Sequence, residues 1–176
     1  HANYCPKFSR SVYMMRDGRD VMVSYYFHGL RHVAEGPNPK LTRRQRRMYP
    51  GLRDKNDFAV NFVPFLQRQL TEPNASHGLN WRQHVMSALG QQNESTVILR
   101  FEDLLTHPQQ ALVDAMEQLT GQPAEKDQIA YTVRRYSFVN QSKRKPGTES
   151  RSAFLRKGVA GDWKNVFTRE AAELFH

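Results

Sequence analysis

Arg16 stands where a short apolar run meets a polar turn, in Arg16-Asp17-Gly18-Arg19-Asp20. A guanidinium can grip a phosphate with two parallel hydrogen bonds. Ser24, eight residues on, can add a hydroxyl donor. The same residues also fit a structural Arg–Asp network that caps the following helix. A second set lies far downstream, in Arg156-Lys157-Gly158-Val159-Ala160-Gly161-Asp162-Trp163. Glycines let backbone N–H groups approach an anion closely, and the two cations neutralise it. The logic is that of a phosphate loop, although the pattern is not GxxxxGK(S/T).

These residues need elements to position them. Ser11–Met15 (SVYMM) has the length and composition of a buried strand. Asp17-Gly18 breaks it, and Arg19 to about His32 reads as a helix with Val21, Val23, Ser24, Tyr25 and Phe27 on its faces. Strand, tight polar turn and helix make a βα unit of a parallel sheet. In such sheets ligands bind beyond the carboxyl ends of strands, where Arg16 falls. Residues 33–56 carry Gly36, Pro37, Pro39, Pro50 and Gly51 among basic side chains and read as a long surface insertion. Phe58, Phe62, Phe65 or Leu66, and Leu70 recur at helical spacing. Trp81 to Leu89 reads as another helix, and Thr96–Phe101 (TVILRF) as a second strand-type run. Thr106 with Gln109 reads as a capping box opening a helix that carries Leu112, Ala115 or Met116, and Leu119, and that Gly121 stops. Ala124 to about Tyr136 reads as helix, residues 140–161 as a mobile polar stretch, and a last helix starts near Thr168. The whole pattern is α/β with at least two strands.

The chain has 176 residues, 39% apolar, 11% aromatic and 24% charged, which is ordinary globular composition for one domain. No run of 18 apolar residues exists, so no transmembrane helix is read. The single cysteine, Cys5, excludes an intrachain disulfide framework and a multi-cysteine zinc finger. His28 and His32 have chelating spacing, but no HExxH signature or third ligand accompanies them. The net charge is +9 and it is uneven. Residues 31–55 hold eight basic and two acidic side chains, and residues 141–157 hold six and one. The excess points to an anionic partner or to solvated loops. Lys40, Arg43, Arg44, Arg46 and Arg47 carry most of the first cluster.

SVYMMRDGRDVMVSYY followed by RKGVAGDWKNVFT resembles the cytosolic-type sulfotransferases, from His1 to about Glu173. That family moves a sulfuryl group from 3′-phosphoadenosine 5′-phosphosulfate (PAPS) to a hydroxyl or amine. The resemblance implies an α/β, P-loop-NTPase-like three-layer fold with a central parallel sheet flanked by helices, here incomplete at its N-terminus. It implies that Arg16 and Ser24 hold the 3′-phosphate, with Arg156, Lys157 and Gly158 closing over it. Phe138 matches an aromatic that packs on adenine. Phe101 stands where the family usually has Tyr, so the ring is kept and its hydroxyl lost. Trp163 reads as a packing residue. His1, followed by Pro6 and then by the strand ending in Arg16, matches the catalytic base. An imidazole titrates near neutral pH and suits that task.

The chain opens without Met or a signal segment and reads as the later part of a larger domain. The family's lysine-containing phosphosulfate loop would precede His1, so the 176 residues alone should turn over poorly. Lys164, Thr168 and Glu173 match a dimerisation pattern, with Arg169 replacing an apolar residue there. The expected donor is PAPS, the nucleotide product adenosine 3′,5′-bisphosphate (PAP), the acceptor a small molecule, and the location cytoplasmic. No metal is needed if the protein's own cations neutralise the phosphates. The rival reading is a non-catalytic nucleic-acid-binding module using the two basic segments, whose affinity would fall steeply with salt.

Overall fold

Ser11–Met15 (β1) and Thr96–Arg100 (β2) pair as parallel strands, with Val12 opposite Val97 and Met14 opposite Leu99. The computed structural model describes residues 10–35, 57–73, 78–90 and 95–176. His1, Cys5, Pro6 and the basic run from Lys40 to Arg47 lie outside the described residues. So do most of the expected insertion at 33–56 and the side chain of His32.

Among the described residues the helices are α1 (Gly18–Glu35), α2 (Phe58–Thr71), α3 (Trp81–Gly90), α4 (Phe101–Thr106), α5 (Pro108–Thr120), α6 (Lys126–Tyr136), α7 (Phe138–Ser142) and α8 (Arg169–Phe175). A 3₁₀ turn spans Asp162–Asn165. The described chain divides into two units, one built on the strands with α4–α7 and residues 157–160, the other on α1, α2, residues 150–156 and 161–176.

In the strand unit, α5 lays Ala115 against Val97 and Leu99 of β2, with Leu104, Ala111, Leu112 and Leu119 packed around them. Val12 and Met14 share that sheet face by register but are 48% and 56% exposed. The expectation of a buried β1 is corrected: α5 covers β2, and among the described residues nothing covers Val12 and Met14 to the same degree. The opposite face carries Tyr13, whose ring lies 6.2 Å from that of His84. Burial raises the Tyr13 phenol above its ordinary pKa.

The end of β2 and the start of α5 differ from the expectations. The second strand ends at Arg100, and Phe101 opens α4. The capping box at Thr106 does not form. The Thr106 hydroxyl instead donates to the Glu102 carbonyl inside α4. Helix α5 begins with Pro108 in its first turn, where a missing N–H costs nothing. Gly121 ends α5 in the left-handed region at φ 70°, as its position suggested.

In the helical unit, α1 buries Met22, Val23, Tyr26 and Phe27. Val23 and Phe27, read on the helix faces from the sequence, are thus core residues, together with Met22 and Tyr26, whereas Tyr25 is exposed. Asp57 caps α2 through the Val60 N–H at 3.2 Å. The α2 stripe is as spaced: Phe62, Phe65 and Leu66 are buried, and Phe58 and Leu70 pack against them. Tyr26 meets Phe58, Phe62 and Phe65 edge-on, with centroids 4.9–5.5 Å apart. Such contacts add about 0.5–1.5 kcal/mol each beyond area burial. Thr168 caps α8 through the Ala171 N–H at 3.2 Å, and α8 adds Ala171, Leu174 and Phe175 to this core.

Candidate functional site

In the strand unit, Arg16 leaves the carboxyl end of β1 partly buried. Its Nη2 donates to the Val159 carbonyl at 3.3 Å, and its guanidinium lies 4.3 Å from the Phe101 ring centroid. A guanidinium can lie over a ring face and still donate hydrogen bonds in its own plane. The Asp17 N–H donates to Glu102 Oε1 at 2.9 Å, so the turn after β1 is tied to the start of α4 after β2. Both anchors sit where the parallel strands end, which is the ligand edge of an open α/β sheet.

Gly158 has φ 67°, and a Cβ there would collide with the Phe138 ring. The ring therefore packs directly on the Gly158 backbone, and only glycine serves. Ser137 caps α7 and sets Phe138 at its first position. The Arg144 guanidinium lies 5.3 Å from the Phe138 centroid and donates to the Thr148 carbonyl at 2.8 Å. The Lys157 carbonyl accepts from the Gly147 N–H at 2.8 Å, which fixes the backbone next to Gly158. Arg16, Phe101, Phe138, Lys157 and Gly158 thus belong to one unit, although 142 positions separate the first from the last.

In the helical unit stand Ser24, on α1, and Arg156. Arg156 is largely buried, forms an ion pair with the buried Asp162, and lies 4.7 Å from the Phe27 ring centroid. The Asp20 carboxylate accepts from the Gly161 N–H at 2.6 Å and the Trp163 N–H at 2.9 Å. Trp163 packs against the aromatic core beneath Arg19, whose guanidinium is 3.7 Å from the indole centroid. This is the packing role expected of it.

Among the described residues, no group of three or more His, Cys, Asp or Glu side chains is set to hold a metal. Nor is any described helix long and apolar enough to cross a membrane.

The family model for the sulfotransferase domain matches residues 6–176. The chain belongs to the sulfotransferase family. Sulfotransferase 1E1 of Mus musculus is 26% identical over 99% of this chain and 55% of its own length. Sulfotransferase 1A1 of Bos taurus is 29% identical over 93% of this chain and 51% of its own. The chain spans about half the length of the curated relatives it matches. Among solved structures, mouse sulfotransferase SULT7A1 complexed with PAP superposes with a TM-score of 0.62 at 20% identity, covering 94% of this chain and 57% of that one. The α/β, P-loop-like fold expected above, an open parallel sheet flanked by helices, is the fold this chain shares with its structural neighbours.

The partners of three acids escaped the sequence reading. Glu102, Asp20 and Asp162 bind backbone or guanidinium groups, the last two from buried positions. The signal for Asp20 was present, because it lies within the motif beside Arg16 and precedes Ser24 by one helical turn. Nothing in the sequence marked Glu102, whose partner is a backbone amide 85 positions away.

Proposed function

We propose that residues 1–176 form a single sulfotransferase domain portion that binds the donor nucleotide PAPS and its product PAP, and presents them to a small hydroxyl- or amine-bearing acceptor. The observation that carries this is the contact of Arg16, at the end of β1, with Val159 in the Lys157–Val159 turn, whose Gly158 lies against the Phe138 ring. A guanidinium stacked on Phe101, a lysine, and a positive-φ glycine with no room for a Cβ fit an adenosine bearing a 3′-phosphate. In the strand unit Arg16, Lys157 and Gly158 take the phosphate, and Phe101 and Phe138 offer rings to the base. In the helical unit we assign Ser24 and Arg156 the phosphate-binding role that the motif resemblance implies for them. Membership of the family and the PAP complex of a structural neighbour support the reading.

The donor supplies an activated sulfuryl group. His1 takes the acceptor's proton as the acceptor oxygen or nitrogen bonds to sulfur. The bond from sulfur to the bridging phosphate oxygen breaks, and PAP leaves. Cytoplasmic location and a homodimer contact through Lys164, Thr168 and Glu173 belong to the same proposal.

Isothermal titration of the chain with PAP, and with adenosine 5′-phosphate, tests it. A preference for PAP that Arg16→Ala abolishes is the expected result. Equal affinities, or binding that follows only bulk salt, would favour the nucleic-acid reading instead.

A further inference from the structure

Asp20 is 1% exposed, although it lies in the first turn of a helix, where an acid is ordinarily solvated. Both of its oxygens are used by a segment more than 140 positions away: Oδ2 by the Gly161 N–H and Oδ1 by the Trp163 N–H. Those two amides bracket Asp162, which is 2% exposed. Asp162 Oδ2 holds the Arg156 guanidinium, while its Oδ1 accepts from Asn165 Nδ2 at 3.3 Å. A continuous set of contacts therefore runs from α1 through Asp20, the Gly161–Trp163 backbone and Asp162 to Arg156. Ser24 sits four residues after Asp20, on the same face of α1.

We infer that Asp20 is the positioning residue of the phosphate grip: it holds the Gly161–Trp163 segment on the helix face that carries Ser24, and through Asp162 it sets the direction of Arg156. The inference rests on the proposed function for the identity of the anion. Its chemistry is specific to a carboxylate. Two backbone donors converge on one side chain, so two acceptor oxygens are needed. Asparagine keeps the shape but turns an NH₂ toward one of the N–H groups. Macrodipole stabilisation alone would require only a negative charge near the helix start, not both oxygens aimed at a distant backbone.

Asp20→Asn in the 176-residue chain tests this by titration with PAP and with adenosine 5′-phosphate, which lacks the 3′-phosphate. The expected result is a loss of PAP affinity of about tenfold or more, with adenosine 5′-phosphate binding unchanged. A role confined to stability would weaken both ligands alike, and that result overturns the inference, as does wild-type PAP affinity in the variant. Amide hydrogen exchange on the unmodified chain gives a second measurement that does not depend on the variant folding. Gly161 and Trp163 should exchange slowly, and fast exchange at both overturns the clamp. A wild-type chain with no preference for PAP overturns the sulfotransferase reading and the phosphate part of the inference. The exchange pattern still decides the clamp itself.

Discussion

Gly158 gathers two demands at one residue. Its φ of 67° disfavours any side chain, and the Phe138 ring occupies the space that a Cβ would need. Gly158→Ala should cost about 1–2 kcal/mol for the left-handed backbone and about 1–3 kcal/mol for the forced overlap. Thermal melts of the variant would show the loss, and adding Phe138→Ala should recover only the overlap share. Full recovery in the double variant would show that backbone conformation carries no part of the demand. Phe101 illustrates the same scale. Its departure from the family's usual Tyr reads in sequence as a lost hydroxyl, whereas in the structure the ring serves as a platform for Arg16. A phenyl ring suffices for that contact, because the attraction comes from the π-face.

At the scale of elements, α1 and α2 share an aromatic core centred on Tyr26. Burial pushes the Tyr26 phenol up to about 12, with the Asn61 side chain opposing part of the shift. In the unfolded chain the phenol loses its proton near pH 10. Between about pH 10 and 12 the unfolded state therefore binds fewer protons than the folded one, and stability falls as pH rises. Tyr26→Phe should flatten this alkaline loss, read as the difference in denaturation midpoint between pH 9 and pH 11. Tyr13, also raised, leaves a residual slope. An unchanged pH dependence in the variant would rule out Tyr26 as its source. The α4–α5 junction shows how local signals mislead at this scale. Thr106 and Gln109 have capping-box spacing, yet Thr106 is absorbed as the last residue of α4, and Pro108 starts α5. A hydroxyl can satisfy either a cap or an i−4 carbonyl, and which it meets depends on where the preceding helix ends.

At the scale of the whole molecule, chemistry and binding can be separated. The 176 residues include no GK(S/T) or PKSGT-like loop to stabilise charge on the leaving group. The chain should therefore bind PAP yet transfer sulfuryl from PAPS to a phenol slowly or not at all. Normal turnover by this chain would refute that expectation. The basic excess at 141–157 also resolves at this scale. Within it, Arg144 lies over Phe138 and Arg151 over Phe27, with Arg156 paired to Asp162. Part of the charge is thus invested in aromatic and carboxylate contacts rather than offered freely to a polyanion.

Local pattern alone was enough for the helical stripe at Phe58–Leu70, the strand-turn-helix around Arg16, the glycine stop at Gly121 and the family of the chain. Each of these depends on neighbours within a few residues, or on a motif long enough to be specific. Tertiary structure decided which acids are buried, that β1 leaves Val12 and Met14 open, and that Arg16 meets Val159 and Phe101. Those outcomes depend on contacts 85 to 143 positions apart, and no spacing rule reaches across such distances. The physical reason is that a carboxylate or guanidinium carries the same local signature whether solvated or buried. Only the partners that the fold delivers determine which state it takes.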